Sequence, residues 1–135
     1  MKNCIFCKIA KGESKSWKIY EDKDVIAFLD INPASEGHTL IIPKKHYEDI
    51  YEIPEKELKK IISLSKKLAL HYKKFGINEV NVMHASGKNA QQSVPHFHIH
   101  LIPRCKGDGL DLWFKAKNKT ESDFQEIKDK LKLVK

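Results

Sequence analysis

The most informative stretch of the chain reads Gln91-Gln92-Ser93-Val94-Pro95-His96-Phe97-His98-Ile99-His100-Leu101-Ile102-Pro103-Arg104. Its three histidines recur at every second position, with apolar residues between them. Because alternate side chains of a β-strand share a face, this spacing predicts a strand with imidazoles on one face and apolar side chains on the other. Two prolines enclose the run, which fits because proline is tolerated better at strand ends than inside strands.

The length and composition predict one ordinary domain over residues 1–135. The chain has 41% hydrophobic residues, which is enough for a single core. No run of 18 apolar residues occurs, and the amino terminus lacks the apolar centre of a signal peptide. We therefore expect a cytoplasmic protein with no membrane partner.

The formal charge of +7 comes almost entirely from lysine, because Arg104 is the only arginine. The lysines are spread along the chain and mostly sit between acidic residues. A nucleic-acid surface would have clustered arginines and interleaved aromatic residues, so this distribution argues against a nucleic-acid partner. The positive excess still favours anionic small ligands.

The apolar pattern predicts an α+β fold with the element order β-β-β-α-β-β. The long helix has apolar positions at spacings of three and four, and Gly76 follows it as a stop. We expect an antiparallel five-stranded sheet with one long helix packed on it, and short helices near both termini. The predicted segments are a first helix at 4–11, strands at 17–20, 25–29, 39–42, 79–84 and 96–102, the long helix at 54–75, and a terminal helix at 122–133.

The histidine row suggests acid, base or nucleophilic chemistry. Imidazole has an unperturbed pKa near 6.5, so one ring can be a neutral nucleophile toward phosphorus while another, protonated, stabilises the phosphoryl oxygens or the leaving group. The central ring, His98, is best placed to be flanked by both others. The loop before it offers Gln92, Ser93 and backbone N–H groups near Gly87 as donors to phosphate oxygens.

The cysteines offer an alternative role for some histidines, because alternate histidines on a strand also bind metals. Cys4 and Cys7 have the spacing of half a tetrahedral zinc site, which two histidines from elsewhere would complete. The spacing does not fix which two. Unliganded thiols and a redox disulfide are the other interpretations of this pair, and Cys105 is interpreted as an incidental thiol.

The chain resembles the histidine triad (HIT) family of nucleotide-binding hydrolases and transferases, in its cysteine-containing, zinc-binding branch. Beside the alternating histidines, three blocks show this resemblance: Cys4-Ile5-Phe6-Cys7-Lys8-Ile9, Ala27-Phe28-Leu29-Asp30-Ile31-Asn32-Pro33, and Gly37-His38-Thr39-Leu40-Ile41-Ile42-Pro43-Lys44-Lys45-His46. The similarity covers residues 4–104, which we expect to be the core of the domain. Residues 105–135 have no firm counterpart and form an extension.

The resemblance implies a role for each matching residue. His98 would be the catalytic nucleophile that forms a nucleotidyl-histidine, and His100 would contact the phosphate and assist the leaving group. His38 would support the triad from a buried position. Nucleotide binding would involve Phe6, Ile9, Phe28, Asp30, Ile31, Gln92, Ser93 and His100, with the carboxylate of Asp30 on the ribose hydroxyls. A structural Zn²⁺ would be held by Cys4, Cys7, His46 and His96.

These implications lead to three functional hypotheses. The first is hydrolysis of purine nucleoside phosphoramidates or dinucleoside polyphosphates through a covalent His98 intermediate. The second is a zinc-stabilised nucleotide-binding or interaction module with little turnover, and the third is removal of adenylate from nucleic-acid ends. Two departures from the family pattern, Ala85 and Gln91, predict a lost phosphate contact and a stiffer loop. The family also implies a homodimer.

Overall fold

The structure is a computed structural model and describes residues 3–135. The regular elements follow the predicted order. They are α1 (Ile5–Ala10), β1 (Lys18–Glu21), β2 (Val25–Leu29), β3 (Thr39–Pro43), α2 (Glu55–Tyr72), β4 (Glu79–Met83), β5 (Ile99–Arg104) and α3 (Glu121–Leu131), with 3₁₀ turns at Lys73–Phe75 and Lys88–Ala90.

The five strands form one antiparallel sheet in the order β1-β2-β3-β5-β4. β1, β2 and β3 pair consecutively because short connections favour antiparallel neighbours. β5 lies between β3 and β4, so the histidine stretch runs through the interior of the sheet rather than along an edge. The predicted α+β fold with a five-stranded antiparallel sheet is confirmed.

One face of the sheet packs on α2, and we call it the helix face. The buried residues of this layer come from the sheet, from the segment before α2, and from the apolar stripe of α2. They are Val25, Ala27, Ile41, Ile53, Ile61, Leu64, Leu68, Tyr72, Phe97, Ile99 and Leu101. Apolar residues at spacings of three and four give α2 this buried stripe, as predicted.

The opposite face, which we call the histidine face, is covered by α1. Its apolar cluster combines residues of α1 with the alternate residues of β2 and β3, and consists of Cys4, Phe6, Cys7, Ile9, Ile26, Phe28, Leu40 and Ile42. Side chains on successive positions of a strand point to opposite faces, so β2 and β3 contribute to both layers. The short α1 therefore closes the second core.

The residues at the two ends of α2 explain where this long helix begins and ends. Pro54 is its N-cap, and Glu55 and Glu57 in the first turn complement the positive end of the helix dipole. After the 3₁₀ turn, Gly76 adopts φ +83°, a left-handed conformation that glycine reaches without a steric penalty. The predicted helix at 54–75 thus corresponds to α2 and the turn that follows it.

The predicted boundaries of the histidine strand were wrong. Regular pairing of β5 begins only at Ile99, because the backbone N–H of Phe97 is bonded to the carbonyl of Tyr47 in an irregular segment. Pro103 lies inside β5 rather than after it. The Pro103 carbonyl accepts from the hydroxyl of Ser35, which lies in a loop. This side of the proline therefore faces a loop rather than a paired strand, so the N–H that proline lacks is not needed for strand pairing.

The extension after β5 ends in α3, which Thr120 caps through a reciprocal capping box with Asp123. None of the residues of α3 is buried in this chain. The apolar side chains Phe124, Ile127 and Leu131 share one helical face and are exposed to solvent. The predicted amphipathic terminal helix is therefore present, but its apolar face does not pack on the sheet.

Among the residues that the structure describes, no helix combines the length and the apolar character needed to cross a membrane.

Candidate functional site

The two rows of the histidine stretch lie on opposite faces of the sheet, as their spacing predicts. Phe97, Ile99 and Leu101 belong to the apolar layer under α2. His98 and His100 line a cavity on the histidine face.

This cavity has a volume of about 350 Å³, within the usual range of small-molecule sites. It lies between α1, the segment before β1, the end of β2 and the segment before β5. Its lining is mainly apolar, with a few polar side chains, and comprises Ile5, Phe6, Ile9, Lys15, Ser16, Phe28, Leu29, Asp30, Ile31, Asn32, Leu40, Ser93, Val94, His98 and His100. Every residue predicted to bind the nucleotide lines this cavity, with the exception of Gln92.

The tautomer of His98 follows from its backbone contact. Its Nδ1 lies 2.7 Å from the carbonyl oxygen of His96, and a carbonyl can only accept, so Nδ1 carries the proton. In the neutral ring the lone pair is then on Nε2. His98 therefore has a free nucleophilic nitrogen on a ring that lines the cavity.

A chain of hydrogen bonds fixes His100 in the opposite tautomer. The backbone N–H of Ala34 donates to His38 Nδ1 at 2.9 Å, so the proton of His38 is on Nε2. That proton is donated to His100 Nδ1, also at 2.9 Å. A neutral His100 consequently carries its own proton on Nε2, where it can donate to a phosphate oxygen.

Burial keeps these rings neutral. It lowers the pKa of His98, and it lowers the pKa of His100 to about 4. Burial also lowers the pKa of His38, although the nearby carboxylate of Asp30 partly opposes this effect. At pH 7 the row therefore offers lone pairs and neutral N–H donors, rather than the mixture of neutral and protonated rings that the sequence suggested.

Asp30 directly follows the last residue of β2 and lies at the rim of the cavity. Its Oδ1 accepts from the backbone N–H of Asn32 at 2.8 Å, which fixes the orientation of the carboxylate. Its Oδ2 lies 3.6 Å from His38 Nε2. A carboxylate only accepts hydrogen bonds, so this rim suits the hydroxyl groups of a sugar.

His84 supports the histidine row through contacts outside the cavity. Its Nδ1 donates to the carbonyl of His98 at 2.9 Å, and its Nε2 is bonded to the Ser86 hydroxyl. The ring also stacks on Phe97, with centroids 4.2 Å apart. His84 thus holds the backbone that positions His98, without lining the cavity.

The loop before the histidines differs from the expected phosphate cradle. Gln92 closes the loop with its side chain: Oε1 accepts from the Gly87 N–H at 2.8 Å, and Nε2 donates to the carbonyls of Glu48 and Val94. These contacts occupy the amide of Gln92 and the N–H of Gly87, both of which we expected to face phosphate. Ser93 is the member of the predicted donor set that lines the cavity.

The cysteine pair meets two histidines, as one interpretation of the sequence predicted. The ligand atoms of Cys4, Cys7, His46 and His96 all lie within 4.8 Å of one another. Three of the four sulfur-to-nitrogen pairs are 3.3, 3.4 and 3.6 Å apart. Tetrahedral zinc with its usual bond lengths places sulfur and nitrogen ligands about 3.5 Å apart, so the arrangement fits this metal.

The tautomer of His96 also suits a metal ligand. Its Nε2 donates to the carbonyl of Pro43 at 2.8 Å, which leaves the Nδ1 lone pair facing both sulfurs. Burial lowers the pKa of this ring to about 4, so it is neutral at pH 7. The ring of Phe6 lies edge-on to both His96 and His98, between the cysteine–histidine cluster and the cavity.

The sequence missed Ser16, which lines the cavity two residues before β1 begins. No local motif marks this position, because it is the continued pairing of β1 with β2 past the end of β1 that brings Ser16 beside Asp30. Cys105 is an exposed free thiol, which agrees with its interpretation as an incidental thiol. His71 is exposed on α2.

Together, the fold and the site define an α+β protein whose single antiparallel sheet presents alternate histidines to an apolar cavity. The chain belongs to the HIT domain family, whose model matches residues 11–107. The resemblance seen in the sequence is therefore confirmed, and the cysteine–histidine cluster fits the zinc-binding branch.

Three known proteins illustrate the relationship. The chain is 43% identical over 125 residues to an adenosine 5′-monophosphoramidase of Saccharomyces cerevisiae, covering 92% of this chain and 75% of that protein. The crystal structure of a HIT family member from Bacillus subtilis matches with a TM-score of 0.87 and 40% identity, covering 98% and 99% of the two chains. A zinc-bound histidine triad protein from Mycobacterium smegmatis matches with a TM-score of 0.79 and 32% identity, covering 86% and 85%.

Proposed function

We propose that the protein hydrolyses purine nucleoside phosphoramidates, and related dinucleoside polyphosphates, through a covalent intermediate on His98. The lone pair of Nε2 attacks the α-phosphorus, and the bond from phosphorus to the leaving group breaks as the new N–P bond forms. Water then attacks the same phosphorus, the N–P bond breaks, and the nucleoside monophosphate leaves. The hydrogen bond from His98 Nδ1 to the carbonyl of His96 supports this proposal most directly, because it makes Nε2 the nucleophilic atom.

The neighbouring groups have complementary roles in the proposal. His100 donates from Nε2 to a phosphoryl oxygen, and Ser93 donates to another. The apolar walls around Phe6 and Phe28 hold the base, while Asp30 accepts from the ribose hydroxyls. Gln92 contributes by holding the loop in shape.

A second cavity supports an amine as the leaving group. It has a volume of about 580 Å³ and shares Ile5, Ser93 and Val94 with the first cavity. A group displaced from phosphorus near Ser93 can extend into this space. Glu48 lines it, and a carboxylate attracts an ammonium group but repels a polyphosphate chain. We therefore rank phosphoramidates ahead of dinucleoside polyphosphates.

We infer that Cys4, Cys7, His46 and His96 hold a structural zinc ion. Four protein ligands complete a tetrahedral shell and leave no open position for substrate. When bound, the ion supplies a cross-link between α1, the segment after β3 and the segment before β5. His96 is then a ligand rather than a participant in the reaction, and His98 remains free for attack.

The test is to incubate the protein with adenosine 5′-phosphoramidate and to measure AMP release by chromatography. His98→Ala should lower kcat/KM at least about 100-fold, because it removes the nucleophile. His71→Ala, an exposed histidine on α2, is the matched control and should keep full activity. Full activity in His98→Ala would eliminate this route.

The same experiment separates the alternatives. Tight AMP binding with no His98-dependent turnover would instead support the zinc-stabilised binding module. Removal of adenylate from nucleic-acid ends requires binding to DNA or RNA that weakens as salt rises. Binding that is independent of salt would count against this third hypothesis.

Two further proposals concern the protein as a whole. The free thiols Cys4, Cys7 and Cys105 support residence in a reducing compartment, which agrees with the expected cytoplasmic location. A homodimer is supported by two features of the surface: β4 is an edge strand with exposed Val82 and Met83, and the apolar face of α3 is uncovered.

A further inference from the structure

One buried polar atom in the cavity is left without a partner. The hydroxyl oxygen of Ser16 is shielded from solvent and forms no hydrogen bond with any residue in the described range 3–135. It lines the same cavity as Asp30, His98 and His100. A buried hydroxyl without a partner is unfavourable, so such groups in native proteins usually bond to a ligand or to water.

The hairpin register places Ser16 beside Asp30. Lys18 pairs with Phe28, and the backbone N–H of Leu29 donates to the carbonyl of Trp17 at 2.9 Å, so the ladder continues beyond the end of β1. The next opposed pair is Ser16 and Asp30. Directly opposed residues of antiparallel strands share a face and lie about 5 Å apart. Ser16 and Asp30 are therefore neighbouring residues on the cavity wall.

We propose that the Ser16 side chain rotates about χ1 to turn its hydroxyl into the cavity, where it binds the ribose 2′-hydroxyl of the substrate and selects ribonucleotides over 2′-deoxyribonucleotides. This inference rests on the proposed nucleotide function, in which Asp30 accepts protons from the ribose. A ribose hydroxyl that donates to a carboxylate still has lone pairs to accept with, and the Ser16 hydroxyl can donate to them. Asp30 thus accepts the proton of this sugar hydroxyl, and Ser16 donates its own proton to the oxygen of the same hydroxyl.

The strand order identifies which sugar hydroxyl Ser16 meets. In the proposed function the phosphate lies at His98 and His100, near β5. From there the cavity wall follows the strand order through β3 and β2 toward β1. Ser16 is therefore one strand farther from the phosphate than Asp30. In a nucleoside 5′-phosphate the 2′-hydroxyl is on the carbon one bond farther from the phosphate than the carbon bearing the 3′-hydroxyl. This order places the 2′-hydroxyl within reach of both Ser16 and Asp30, whereas the 3′-hydroxyl meets Asp30 alone.

The experiment measures kcat/KM for adenosine 5′-phosphoramidate and its 2′-deoxy and 3′-deoxy analogues in wild type and Ser16→Ala. We expect Ser16→Ala to lose about tenfold on the ribose substrate and to be unchanged on the 2′-deoxy analogue, so that its preference for the 2′-hydroxyl disappears. The loss should appear in KM more than in kcat, because the contact binds substrate away from phosphorus. The preference for the 3′-hydroxyl should remain.

Ser14→Ala is the matched control, since Ser14 lies nearby but does not line the cavity. If Ser16→Ala kept the wild-type ratio between kcat/KM for the ribose substrate and kcat/KM for the 2′-deoxy analogue, the assignment would be overturned. Calorimetric binding of AMP and 2′-deoxy-AMP gives the same comparison without turnover. If the protein bound AMP with the Ser16-dependent preference but showed no hydrolysis, the proposed activity would fail while the ribose contact stood.

Discussion

At the level of single residues, the proposed chemistry depends on where two protons lie. His98 keeps its proton on Nδ1 and His100 keeps its proton on Nε2, and groups outside the cavity fix both. The opposite tautomer of His98 would place a proton on the attacking nitrogen, and that of His100 would remove a donor to phosphate. The free protein therefore has the proton arrangement needed for attack on phosphorus before substrate binds.

The first prediction concerns the pH dependence of activity. Burial is the main cause that lowers the pKa of His100 from 6.5 to about 4. The neighbouring His98, His38 and His84 add to this shift, and the carboxylate of Asp30 opposes it. The neutral ring therefore persists as the pH falls through 6.5, and protonation occurs only near pH 4. A protonated Nδ1 could no longer accept from His38. We expect kcat/KM, which reports the free enzyme, to stay level from pH 8 to about 5.5 and to fall at lower pH.

The measurement is kcat/KM for adenosine 5′-phosphoramidate across this range, corrected for uncatalysed hydrolysis at each pH. The zinc content at pH 5 serves as the control, because loss of the metal would also lower activity. If kcat/KM fell with a midpoint at pH 6.5 or above in protein that keeps its metal, the assignment of a neutral His100 would be contradicted.

The sequence could place these residues but could not assign their protons. A spacing of two is sufficient to put His98 and His100 on one face, because the pleat of a strand has that period. Their tautomers depend on the direction of the His96 carbonyl and on the Ala34 N–H, which no local pattern encodes. Ser16 was missed for a similar reason, since its position beside Asp30 depends on register rather than on a motif.

At the level of elements, the loop that ends in Gln92 contains one strained residue. Gln91 has φ +67° and ψ +32°, the left-handed region that residues with a side chain rarely adopt. Gln91 is one of the two departures from the family pattern, and the backbone at this position suits glycine. The neighbouring contacts of Gln92 to Gly87 and Glu48 hold this conformation in place.

The second prediction follows from this strain. Gln91→Gly should stabilise the folded protein by about 0.5–1 kcal/mol, because glycine removes the steric cost of the left-handed conformation, an effect partly offset by the greater freedom of glycine in the unfolded chain. Urea denaturation measures the change. Asn89→Gly, within the preceding 3₁₀ turn, is the matched control and should destabilise. Equal destabilisation by both substitutions would show that Gln91 is not strained.

The elements themselves were largely predictable, and the exceptions have physical causes. α2 was recognisable because apolar periodicity, first-turn acids and Gly76 all agree. β5 was placed three residues too early, since Pro103 seemed to require a strand end. Its carbonyl in fact faces Ser35 beyond the last pairing with β3, and this tertiary arrangement is invisible in a single sequence.

At the level of the whole molecule, the four proposed zinc ligands come from distant parts of the chain. Cys4 and Cys7 belong to the start of the chain, His46 follows β3, and His96 precedes β5. The spacing of the cysteines indicated half of this set, but the choice of histidines came from the family resemblance. A bound ion would tie α1, and with it one wall of the cavity, to the sheet.

The third prediction is that the protein binds one zinc ion per chain and that removing it lowers thermal stability. A ligand that binds only the folded state stabilises it, so chelation should lower the melting temperature by about 5–10 °C. Metal analysis and a thermal melt measure the two effects. Cys7→Ser should lose the metal, whereas Cys105→Ser, at the exposed cysteine, should retain it. Identical zinc content in the two variants would rule out this site.

The fourth prediction concerns the surface that a homodimer would cover. α3 presents Phe124, Ile127 and Leu131 on one face, and the first and last of these are 62% and 71% exposed. A capped helix with an uncovered apolar stripe gains stability only if another surface buries that stripe. We propose a second copy of the chain as the occupant, because the edge strand β4 also lacks a neighbour within the described part of this chain.

Light scattering should therefore give a mass twice the 15.6 kDa of one chain. Phe124→Lys combined with Leu131→Lys should weaken the dimer, so that the mass falls toward that of one chain on dilution, because two charges would have to enter an apolar interface. Glu126→Lys, on another face of α3, is the control and should leave the mass unchanged. A dimer that survives the double substitution would mean that α3 lies outside the interface and that β4 is the surface to test next. A wild-type protein that stays monomeric at high concentration would refute the dimer itself.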